Sequence, residues 1–112
     1  MAIDFNRALQ RKFVEEMFRS PATLGALFTT DDERLRYQDL CFPYLEQMYQ
    51  AAKADDSDRF WSIFSRVEHA EPQRLAWFAY HYLLVCEDRK LVVWYLDQVI
   101  DGKSHPYMKS PK

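Results

Sequence analysis

Leu75-Ala76-Trp77-Phe78-Ala79-Tyr80-His81-Tyr82-Leu83-Leu84-Val85-Cys86 is the stretch whose reading decides the fold. It holds no Gly, no Pro and no formal charge, and its apolar side chains spread around the whole circumference of a helix at 100° per residue. Glu71-Pro72 just before it suits a helix start, because the N–H that proline lacks would be unpaired there anyway. A helix apolar almost all round is either central in a fold or covered on its second side by a partner. It is too short to span a bilayer, which needs about 20 residues.

The helix has one polar seam. Arg74, His81 and Asp88 fall seven apart along one edge, with Trp77 beside them. The plain reading is that this edge faces water. The sharper one is a partner-facing edge, since Arg and Trp are enriched in interface hot spots and His81 adds sensitivity to pH. Arg74, Trp77, His81 and Asp88 are therefore the candidate partner-binding residues.

Upstream, Asp55-Asp56-Ser57-Asp58 caps a helix over 57–69 whose Phe60, Trp61, Ile63, Phe64 and Val67 share an arc of roughly 160°. Before it, Thr30-Asp31-Asp32-Glu33 is a capping box, the Thr hydroxyl serving the third amide and the Glu reaching back. From there Tyr37, Leu40, Cys41, Tyr44, Leu45, Met48, Tyr49 and Ala52 keep one register straight through Pro43. One kinked helix, or two collinear ones meeting near Phe42, is predicted. Ser20-Pro21 opens a short helix that Gly25 weakens to one or two turns.

At the N-terminus, residues 3–19 read as a helix with Asp4 as its cap. Phe5, Leu9, Phe13 and Met17 form a ladder down one face, widened by Val14 and Phe18. Arg11 with Glu15, and Lys12 with Glu16, are placed to pair on the solvent side. At the other end, Asp88 caps a last helix closing at Gly102. Leu91-Val92-Val93-Trp94-Tyr95-Leu96 is rich in β-formers, but short connections and the want of a second strand favour helix. Residues 103–112, with Lys103, Lys109 and Lys112, two prolines and no acid, read as a mobile tail.

The whole is an all-α domain over 1–102, with five or six helices in a bundle or helical-hairpin array. Its 112 residues fit one domain. Fifteen basic against seventeen acidic residues give a net charge of −2, which supplies no electrostatic pull toward nucleic acid. Aromatics reach 16% of the chain, an excess that a small domain cannot readily hide. The start carries no apolar leader. Cys41 and Cys86 do not read as a disulfide framework, so a reducing cytoplasmic setting is expected.

Chemistry-bearing patterns are sparse. Gly25 and Gly102 cannot build a phosphate-cradling loop, and the serine-hydrolase elbow is missing. His69, His81 and His105 lack metal-ligand spacing. Asp55, Asp56 and Asp58 lack the glycine of a calcium loop. No metal or cofactor is expected. Cys41 and Cys86 occupy apolar-periodic positions and read as buried small hydrophobes. A helix-turn-helix over 57–69 and 72–87 would offer DNA only Gln73 and Arg74, then an apolar surface. The 33-residue spacing of Phe28, Trp61 and Trp94 lacks repeat-like flanks and reads as coincidence.

The expectation is a small non-enzymatic protein-interaction module (an adaptor, inhibitor or immunity-type protein, or a homodimer) acting through an aromatic-rich helical surface. One alternative is a small enzyme using dispersed residues such as His81 and Asp88. Another is a nucleic-acid-binding regulator using Arg7, Arg11, Lys12 and Arg19.

Overall fold

The computed structural model describes residues 5–67 and 71–102. Asp4, residues 68–70 and the tail 103–112 lie outside these described residues; the helix expected over 57–69 ends earlier, at Ser65, where the Arg66 N–H turns back to the Ile63 and Phe64 carbonyls. Six helices follow one another: α1 (Phe5–Arg19), α2 (Pro21–Leu27), α3 (Asp31–Lys53), α4 (Ser57–Ser65), α5 (Pro72–Val85) and α6 (Arg89–Ile100). The described residues include no strand. The β-forming run 91–96 lies inside α6, where Leu91, Val92, Tyr95 and Leu96 turn inward with helical spacing.

Short polar side chains start these helices by taking otherwise unpaired amides. Ser20 accepts from the Ala22 N–H, Thr30 from Glu33, Asp56 from Arg59, and Asp88 from Lys90 and Leu91. The capping box at Thr30 is only half made. The Glu33 carboxylate instead accepts from the Thr29 hydroxyl at 2.8 Å and meets Arg74 at 2.9 Å. α3 runs as one helix through Pro43. Pro43 and Asp39 are both exposed, so water can serve the Asp39 carbonyl that proline leaves unpaired.

α3 packs against α4, α5 and α6, and α5 against α6. α5 is the central element: Leu75, Ala76, Trp77, Phe78, Ala79, Tyr80 and Leu83 are all buried. The expected need for a partner over its second side is met within the chain, because α1 and the segment around Phe28 supply that cover. Phe18 of α1 stacks on Tyr80 at 5.0 Å, nearly parallel. Phe28, after α2, packs edge-on to Trp77 at 5.7 Å and lies 5.4 Å from Phe78. Beneath them Tyr95 is fully buried, donates to the Ala76 carbonyl at 3.0 Å, and sits among Phe18, Phe60 and Trp61. Aromatic pairs at such spacings add about 0.5–1.5 kcal/mol each beyond the area they bury.

α1 is reversed relative to its sequence reading. Arg7, Arg11, Val14, Glu15 and Phe18 fall within an arc of about 100°, and this arc faces α5 and α6. Arg7 donates to Asp101 at 2.6 Å, and Arg11 forks onto Asp97 at 2.7 and 2.9 Å. Glu15 accepts two bonds from Arg89 and one from the Tyr80 hydroxyl. Arg11 thus pairs across the fold with Asp97, and Glu15 with Arg89. The ladder Phe5-Leu9-Phe13-Met17 points the other way, into water.

Candidate interaction surface

The four seam residues do not act as one edge. Arg74 is drawn to α3, where its guanidinium meets Glu33 at 2.9 Å and lies over the rings of Tyr37 (4.6 Å) and Phe28 (5.4 Å). Such a stacked, charge-paired arginine fastens two elements together. Asp88 is the cap of α6. Trp77 is buried under Phe28. Only Trp77 and His81 remain together, their rings 4.1 Å apart.

These two rings line a groove of about 330 Å³ between α3 and α5, with Arg34, Gln38 and Phe42 on the α3 side and Tyr82 and Val85 on the α5 side. The Trp77 indole N–H is buried without an acceptor, an uncommon state for a buried indole. His81 lies 3.0 Å from the Phe18 carbonyl through Nε2. A carbonyl only accepts, so Nε2 carries the proton and Nδ1 is the free acceptor of the neutral ring.

Burial holds the His81 pKa below its ordinary value; the Phe18 carbonyl opposes that shift and Arg19 adds to it. The unfolded chain therefore takes up a proton more readily than the folded one. Stability from this group is complete above about pH 6.5 and declines as pH falls from there toward the lowered folded value. Replacing His81 with Gln is expected to flatten that part of a stability-versus-pH curve, measured by urea melts from pH 7.5 to 5. An unchanged slope would assign the pH dependence to other groups.

The cysteines are held as thiols. Burial raises Cys41 to about 11, and burial first, then Asp88, raises Cys86. Both are free. Among the described residues, no group of three His, Cys, Asp or Glu side chains converges as a metal site. No described helix is long and apolar enough to cross a membrane.

A second exposed apolar feature lies elsewhere. On α1, Phe5 is 69% exposed, Leu9 50%, Phe13 71% and Met17 55%. Four residues turn 400°, so each rung advances only about 40° and the four make one continuous ridge along the helix. The inner face of α1 carries the ion pairs beside Val14 and Phe18, and the outer face carries most of the hydrocarbon. This inverts the usual amphipathic helix. Periodicity alone marks the ladder as a face; it does not say which way that face looks. The basic residues considered for nucleic acid divide in the same way: Arg7 and Arg11 are tied to α6 acids, while Lys12 and Arg19 are exposed.

Comparison with protein-family models, with the curated proteins and with the solved structures gives no match. The surface itself carries the functional argument.

Proposed function

We propose that this chain is a non-enzymatic protein-interaction module, of the adaptor, inhibitor or immunity type, working in the cytoplasm, and that its contact surface is the outer face of α1. One observation carries the reading: the helix is fastened to the domain by ion pairs together with Val14 and Phe18, and still offers a four-rung apolar ridge to water. Keeping two Phe, a Leu and a Met exposed forgoes the stabilisation that burial would bring, roughly 1.5–3 kcal/mol for each side chain fully buried. Exposed apolar patches of several hundred Å² are often functional. The ridge also sits on a rigid helix, so a partner need not order a loop on docking.

The test is site-specific photocrosslinking in the native host. A benzoylphenylalanine at position 13 is expected to yield covalent adducts with protein, a second copy of this chain included. The same probe at Gln50, an exposed position on α3, should yield few. Equal yields at the two positions, or none at 13, would overturn the assignment.

A further inference from the structure

We infer that the partner of the α1 ridge is a second copy of this chain, docked ridge to ridge about a two-fold axis. The inference rests on the interaction reading above and names the occupant of the same face.

Three features point to self-association. The first is area. With the exposures given above and about 150–250 Å² for a whole aromatic side chain, the four rungs offer on the order of 500 Å². Full cover of the ridge on two copies would bury at most roughly 1,000 Å² together, the lower bound of a specific interface before any rim is added.

The second is self-complementarity. A two-fold contact sets one patch against itself, so a patch bearing one sign of charge would repel its own image. The ridge Phe5-Leu9-Phe13-Met17 contains no charge. The exposed charges beside it, Lys12 and Glu16, have opposite signs, so the rims of two copies do not repel. The ion-pairing groups on the inner face, Arg11 and Glu15, stay engaged within the chain and need not be desolvated afresh.

The third is geometry. Residues at i, i+4, i+8 and i+12 make up one row of the ridge family that interlocks when helices cross at about −50°. The same row on a second copy can therefore interlock with it.

The full-length chain, measured by size-exclusion chromatography with light scattering at tens of micromolar, is expected to show twice its 13.5 kDa mass. Phe13→Glu should return it to 13.5 kDa with an unchanged helical circular-dichroism spectrum; Leu9→Gln serves the same purpose should Phe13→Glu fail to fold. Val85→Glu, which alters the 79% exposed apolar residue at the groove, should leave the dimer intact. A wild-type chain at single mass would overturn the inference, as would a dimer that survives the ridge variants. A single-mass chain that still gives position-13 adducts to other proteins in the host would sink the second copy and leave the interaction reading standing. Single mass with no adducts would sink both.

Discussion

Trp77→Ala is expected to destabilise the domain by about 3–5 kcal/mol, the usual cost of truncating a buried large aromatic. In a chain of this size that lowers the melting temperature by roughly 10–20 °C. The ring is 9% exposed and touches Phe28, Phe78 and His81, so its removal opens a cavity where α2, α3 and α5 meet. The unpaired indole N–H makes the loss somewhat smaller than contact area alone suggests, because the variant also removes a buried donor without an acceptor. Phe13→Ala is the matched comparison. Its ring is 71% exposed, and surface substitutions away from such features cost within about 0.5 kcal/mol. Thermal melts of both variants at low concentration, where association adds little, make the check. Similar losses for the two would contradict the placement of both rings.

Glu15→Ala is expected to cost about 2–3 kcal/mol and to loosen α1 from the rest of the fold. The carboxylate accepts the Arg89 fork at 2.6 and 2.9 Å and the Tyr80 hydroxyl at 2.6 Å. Arg89 is 61% exposed, so its pairing contributes little net. Most of the cost comes from Tyr80, whose fully buried side chain would lose its acceptor. Tyr80→Phe should therefore cost much less in the Glu15→Ala background than in the wild type, a coupling read by a double-mutant cycle. Additive losses would show that the two groups act separately.

Acid should act at the same joint. The Arg89 guanidinium holds the Glu15 carboxyl below its ordinary pKa, and the Tyr80 hydroxyl helps against the opposing effect of burial. Because the folded value is the lower one, the contribution of Glu15 is complete above the unfolded value, near pH 4.5. It is lost as pH falls through the folded value. Hydrogen exchange at α1 amides is expected to rise relative to α5 amides over that range. Parallel changes in the two helices would assign acid sensitivity to the whole domain.

Much of the helix order was legible in the sequence because its signals are local. Ser20, Thr30, Asp56 and Asp88 act at the helix starts their spacing announced, since capping is settled within four residues. Phe60, Trp61, Ile63 and Phe64 are buried as their period required, while Val67, also buried, lies past the end of that helix at Ser65. Along α3 the register was right for Cys41, Leu45, Met48 and Ala52 but overextended to Leu40 and Tyr44, which are exposed. Leu40 and Tyr44 sit about 100° and 60° around the helix from Cys41, at the edge of the stripe, where the packed elements no longer reach.

The candidate surface was less legible. Arg74 lies in register with His81, yet it is committed to Glu33, 41 positions before it, which spacing along one helix cannot reveal; Asp88 falls outside α5, which ends at Val85, and takes the cap role that its own local spacing announced. The ladder on α1 was seen at once. Its direction was not, because that depends on Asp97, Asp101, Arg89 and Tyr80, all more than sixty positions away.

The sequence by itself determined that this chain is helical and where most of its helices start, because caps, period and composition act over a few residues. Tertiary structure alone decided which side of α1 meets the domain and so which apolar surface is left over. That outcome was set by long-range ion pairs and ring stacking, whose partners come together only when the chain closes on itself.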